Sequence, residues 1–129
     1  MSIKLALELW FKAQEDGGGT FGRRSEKEYD GRGYVIGGVC EPLVLVKEAR
    51  PIGAIEKIAE WLDKTNSTYV GSWVDDREQL VYIDGCDIRY NREDAIALGK
   101  LFNQIAIWDI DEGKEIRLEQ ETEGAEKTG

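Results

Sequence analysis

Histidine is absent from this chain of 129 residues. The commonest general base and the commonest zinc ligand are therefore missing. Ser-His-Asp and Cys-His arrangements are impossible within it. Any catalysis would rest on carboxylates, Lys, Tyr or a cofactor, and no cofactor motif is complete. Cysteine is scarce. Cys40 and Cys86 each lie in an apolar, strand-like run, which predicts buried free thiols rather than a disulfide. Long hydrophobic runs are missing as well. No stretch approaches the length of a membrane span, and Lys4, Glu8 and Lys12 break the apolar run near the start, unlike a signal peptide. The expected setting is the cytoplasm, away from membranes.

A surplus of basic residues is also lacking. Lys and Arg number 17 against 26 Asp and Glu, a net charge of −9. A nucleic-acid binder shows a basic surplus or stripe, so direct DNA or RNA binding is not expected. A nucleic-acid mimic needs long acidic stripes, and Lys4, Lys12, Lys57, Lys64 and Lys100 interrupt them. From Asp109 onward eight acids face three bases, so over half of the net charge lies there. The folded body is only mildly acidic.

What is present is a globular composition, 41% apolar and 33% charged, with four tryptophans in apolar stretches. That supports a real core. One domain is expected over residues 1–118 and a disordered acidic tail over 119–129. Residues 2–16 alternate like a strand, yet their Leu, Ala, Glu and Lys content and i, i+4 charges favour a helix between Ser2 as cap and Gly17 as stop. Residues 17–32 read as a glycine-rich loop with a short strand at 20–22. Strands are expected at 34–40, with a Gly37-Gly38 bulge, and at 43–47. Pro51 opens a helix to Lys64 whose apolar face is Ile52, Ile55, Ala59 and Leu62. Residues 69–75 and 79–83 form a hairpin, Asn91 caps a helix to Phe102, and residues 105–110 and 115–118 form a second hairpin. The implied class is α+β: a mainly antiparallel sheet with two or three helices packed on one face, in helix-hairpin units.

Four groups could carry chemistry. Gly17, Gly22 and Arg23 approach phosphate-loop spacing, but Arg23 and Arg24 stand where lysine and a hydroxyl belong. Loop amides with Arg23 and Arg24 could still hold an anion. Asp109, Asp111 and Gly113 fit a hairpin turn better than a calcium loop, and no metal site is assigned. Asp84 and Asp87 form an alternative acidic site, on which a small carboxylate-dependent hydrolase or nucleotide-processing enzyme could be built. Arg89 and Arg92, with Trp73 and Tyr82 on neighbouring strands, could line an aromatic and cationic pocket near a helix start.

Three segments are familiar in combination: Gly33-Tyr34-Val35-Ile36-Gly37-Gly38, Tyr69-Val70-Gly71-Ser72-Trp73-Val74-Asp75 and Gln104-Ile105-Ala106-Ile107-Trp108-Asp109. They resemble short uncharacterised proteins of bacteriophages and mobile elements, over residues 17–118. The resemblance implies a bacterial or phage cytoplasm and an accessory role such as counter-defence. It supplies no catalytic residue. The expected function is a non-enzymatic small binding protein, a homo-oligomer that occupies a host protein or sequesters a small anionic ligand.

Overall fold

The computed structural model describes residues 2–119. The helical alternative is realised at the start: α1 spans Ile3–Asp16 and buries Leu5, Ala6, Leu9, Trp10 and Ala13. Ser2 precedes it but makes no side-chain cap bond. Gly17, at φ 82°, ends the helix in the left-handed conformation and donates its N–H to carbonyls of the last turn. The chain then enters β1, Gly18–Gly22, without a linker. The glycine-rich segment is thus a strand from its second residue, and the loop begins later than its composition suggests.

β2 spans Tyr34–Ile36, β3 Leu43–Val46, α2 Pro51–Lys64, β4 Tyr69–Asp75, β5 Leu80–Arg89, α3 Arg92–Leu101, β6 Ala106–Asp109 and β7 Lys114–Arg117. Pro51 opens α2, and Asn91 accepts a hydrogen bond from the Asp94 amide at 3.0 Å to cap α3, both as the sequence predicts. Two strand lengths differ. The strand at 34 stops at Ile36, because Gly38 adopts φ 85° and turns the chain out of the sheet. The strand expected over 79–83 runs on to Arg89, carrying Asp84 and Asp87 into mid-strand positions. Cys40 therefore sits outside any strand, whereas Cys86 is buried inside β5, and both are free thiols.

The seven strands form one antiparallel sheet in the order β1-β4-β5-β2-β6-β7, with β3 also paired to β5. The hairpins β4–β5 and β6–β7 follow α2 and α3 as expected. The first unit departs from that scheme: β1 joins β4, and β2 inserts between the two hairpins. Side chains alternate across a strand, so the register assigns each to a face. Phe21, Leu45, Val70, Val81 and Ile83 share one core with α1 and α2. Ile36, Ile107, Ile116 and Leu118 share another with α3. Both cores lie on the same side of the sheet, so α1, α2 and α3 pack on one face. The expected tail, 119–129, lies outside the described residues apart from Glu119.

The α1–β1 junction separates two adjacent glycines by mechanism. A Cβ on Gly17 meets nothing within 4 Å, so Gly17→Ala costs only the left-handed backbone, about 1–2 kcal/mol. A Cβ on Gly18, at φ 134°, falls 2.1 Å from the Ser72 carbonyl oxygen, so Gly18→Ala is expected to cost upwards of about 3 kcal/mol. Urea denaturation of the two variants checks the order, and equal losses contradict it.

Candidate functional site

Among the described residues α1, α2 and α3 leave one face of the sheet without a helix, and that face presents a row of side chains in register. Gly18 lies opposite Trp73, Trp73 opposite Tyr82 and Tyr82 opposite Val44. The Trp73 and Tyr82 rings stack at 4.3 Å between centroids and 6° between planes. Trp73 is 47% exposed, Val44 44% and Val46, on the same face, 57%. Burying such side chains is worth about 1.5–3 kcal/mol each, so leaving several together uncovered singles this face out. Gly18 keeps the approach beside Trp73 low, because it has no side chain. Elsewhere on the face, Tyr29 of the connection between β1 and β2 packs edge-on against Tyr69, centroids 5.4 Å apart, over Val35, Cys86 and Ile88. That cover stops short of the Trp73 row. Trp108, opposite Val35, is half exposed on the same face.

Asp84 lies one row from the stacked pair, opposite Gly71. It is only 9% exposed. Its Oδ2 accepts the Gly38 amide at 3.0 Å, and its Oδ1 has no partner among the described residues. Gly37 must be glycine here, since a Cβ would fall 2.3 Å from Oδ2 and 3.0 Å from Oε1 of Gln104. Burial pushes the Asp84 carboxyl up to about 6, against the pull of hydrogen bonds from the Gly38 and Gly85 amides. The neighbouring Cys86 thiol is also pushed up by burial, which keeps it protonated and unreactive.

The residues singled out from the sequence are dispersed. Trp73 and Tyr82 do meet. Arg89 does not join them: it is seven positions beyond Tyr82 along β5, on the opposite face, and its Nη2 pairs with Asp87 Oδ2 at 2.8 Å. Arg92 opens α3 and is exposed. Asp84 and Asp87 alternate to opposite faces, so they do not form a facing carboxylate pair. Asp87 instead accepts from the Ile88 amide and Arg89. Arg24 is exposed near the end of β1, whereas Arg23 turns into the fold. Arg23 donates from Nη1 to the Leu62 carbonyl at 2.7 Å, from Nε to Ser67 O at 3.0 Å and from Nη2 to Thr65 Oγ1 at 2.9 Å. Its guanidinium also lies 5.9 Å from the Trp61 ring centroid. These bonds occupy the donors an anion would need. Asp109 Oδ1 accepts the Glu112 amide and closes a turn. Among the described residues no group of three or more His, Cys, Asp or Glu is placed to hold a metal.

Sequence reasoning found the aromatic pair but missed Val44, Val46 and Gln104. The LVLV run of β3 carried the signal for the first two: alternation on a strand covered on one side leaves every second valine outside. Gln104 has no local signal, because its place near Asp84 comes from β2 sitting between β5 and β6. Comparison with family models, with curated proteins and with solved structures found no match.

Two measurements probe this geometry. Arg23 covers the C-terminal end of α2, where lysine would reach fewer acceptors. Both Arg23→Ala and Arg23→Lys are expected to lose about 2–3 kcal/mol in urea denaturation, Lys the less, and an unchanged midpoint for Lys contradicts the clasp. For Asp84 the folded carboxyl titrates above its unfolded value of 3.8. The folded state thus holds the proton more tightly between about pH 4 and 6, and this group's contribution falls as pH rises through that window. Asp84→Asn is expected to gain about 2–3 kcal/mol relative to wild type on going from pH 4 to pH 7. Parallel melting curves at both pH values would refute it.

Proposed function

We propose that this protein is a non-enzymatic binding module that docks a protein partner on the helix-free face of its sheet. The observation that carries the reading is the exposed Trp73–Tyr82 stack, continued in register by Val44. Rigid aromatic surface is what protein interfaces use as anchors. Asp75, Asp76 and Glu78 stand at the β4–β5 end of that face, offset in part by Arg77 and by Lys47, which pairs with Asp76; with the chain's net charge of −9 they favour a partner with basic residues around an apolar centre. A small anionic ligand is less well served, because Arg23, Arg24, Arg89 and Arg92 do not converge. The carboxylate enzyme loses support in the same way, as Asp84 and Asp87 face apart. The accessory role of a phage or mobile-element protein in the cytoplasm belongs to this reading and rests on the resemblance of three segments. Self-association belongs to it too. No helix among the described residues is long and apolar enough to cross a membrane.

The test is affinity purification of tagged protein from producing cells, with Trp73→Ala and Arg24→Ala beside wild type. A partner retained by wild type and Arg24→Ala but lost with Trp73→Ala supports the docking face. Trp73 is half exposed, so its loss removes about 0.5–1.5 kcal/mol of ring pairing with Tyr82 in addition to the burial of its covered half, and an unchanged circular dichroism spectrum checks that the variant is folded. A partner indifferent to Trp73→Ala, or a phosphate-bearing small molecule whose thermal-shift signal requires Arg89 or Arg92, refutes the reading.

A further inference from the structure

Strand β3 has one edge on β5, and no described residue pairs with its other edge. Lys47 donates its amide to the Gln79 carbonyl at 2.9 Å. In an antiparallel ladder bonded pairs alternate, so the register makes Leu45/Val81 and Leu43/Ile83 the other bonded pairs. The backbone groups of Val44 and Val46 therefore point outward. Val46 C=O accepts from the Ala49 amide at 3.0 Å. The Val44 N–H, Val44 C=O and Val46 N–H have no partner among the described residues. Soluble proteins guard such edges with lysine, proline, a bulge or a very short strand. Leu43–Val46 is short, four residues, and is flanked by Pro42 and Lys47, but has no lysine, proline or bulge within it.

We infer that two copies of this chain pair through β3, antiparallel, about a twofold axis at Val44. The register follows from which groups are left open. With Val44 on the axis, its N–H and C=O exchange hydrogen bonds with Val44 of the second copy. Val46 then lies opposite Pro42 of the second copy. Val46 N–H finds the Pro42 carbonyl. Proline has no amide to offer in return, and the Val46 carbonyl is already taken by Ala49. Every outward group of the strand is satisfied, and none is demanded that is absent. One step further along, Lys47, whose Nζ also pairs with Asp76 Oδ1 of its own chain at 3.4 Å, faces Glu41 of the second copy, and the reverse contact repeats across the axis. Opposite charges facing across a ladder stabilise it. Shifting the axis to Leu45 loses that match, setting Lys47 against Leu43. The occupant is therefore a second copy, because the edge is complementary to itself in one register. Pairing joins the two helix-free faces, so the row Trp73–Tyr82–Val44 continues into its symmetry mate as one ridge. The inference does not depend on the docking of a foreign protein, since its readout is mass.

Sedimentation equilibrium of the whole chain tests it. Wild type is expected to run as a dimer that dissociates on dilution, since a short edge contact is a small interface. Val44→Pro removes the axial N–H but no intrachain ladder bond, and proline is tolerated on edge strands; it is expected to be monomeric with an unchanged circular dichroism spectrum. Glu41→Lys alone should weaken the dimer several-fold, and Glu41→Lys with Lys47→Glu should restore it. The charge pair carries the test if Val44→Pro does not fold. A wild type that stays monomeric at its highest soluble concentration overturns the inference. So does a dimer indifferent to Val44→Pro in a folded protein, or to charge reversal at Glu41.

Discussion

Everything in this sheet hangs on β5, which is asked to pair along both edges at once. One edge is taken over seven residues by β4, from Leu80 to Cys86. The other is shared end to end by β3, over Leu80 to Ile83, and β2, over Asp87 to Arg89. No strand follows the sequence between those two partners, so the chain must bow out from Gly37 to Pro42 and return. Where it bows, the ladder is patched by one bond from Val39 N–H to Gly85 C=O and one from Gly38 N–H to the Asp84 carboxylate. A side chain stands in for a missing main-chain acceptor. That substitution explains why an acid sits in the middle of a buried strand, and why the residues beside it are Gly37 and Gly38. It also explains the orphaned oxygen: one oxygen of Asp84 fills the gap, and the other is buried by the same crossing.

Arg23 solves a related problem at the far end of β4. The last carbonyls of α2 need donors, and the connection from Thr65 to Thr68 has polar groups of its own. Arg23 serves both, while its own amide donates to the Thr68 carbonyl. Burial draws its pKa down from the ordinary value, yet arginine keeps its charge where lysine would more readily lose its own. One side chain thus ties β1 to the α2–β4 turn. The anion-binding role its sequence context suggests is closed off by this use.

How much was legible depended on whether the signal was local. The three helices, both hairpins and Asn91 as a cap followed from periodicity and turn chemistry, because those are set by neighbours in sequence. So was the packing of all helices on one face. The exit of β2 at Ile36 and the extension of β5 to Arg89 were not legible, since each depends on which strand lies alongside. Asp84 and Asp87 look like a pair in one dimension. Three residues along a strand places them on opposite faces, and only the knowledge that β5 continues unbroken reveals it. In sequence, Trp73 and Tyr82 suggest pocket walls for arginines. They do stack, but the arginines are carried elsewhere by strand length and alternation.

The two faces of the sheet then differ in a way that stability does not require. The helix-bearing face is sealed by Leu9, Trp10, Ile58 and Ile83, all essentially inaccessible. Among the described residues the other is closed where Tyr29 lies over Tyr69 and Cys86 and where the Gly37-Gly38 crossing covers Asp84, and is left open along the Trp73 row. A chain selected for folding alone gains from making Trp73, Val44 and Val46 polar, because exposed apolar surface contributes nothing to the core and invites association. The edge of β3 points the same way, for a single lysine within Leu43–Val46 would close it. Exposed aromatics, an unguarded edge and a low glycine approach at Gly18 meet on one side of one half of the sheet. Their coincidence is accounted for if that side is completed by other molecules. The apolar row, not the net charge of −9, is what distinguishes this side: acids and bases are spread over the whole chain, whereas Trp73, Tyr82 and Val44 lie side by side on β4, β5 and β3.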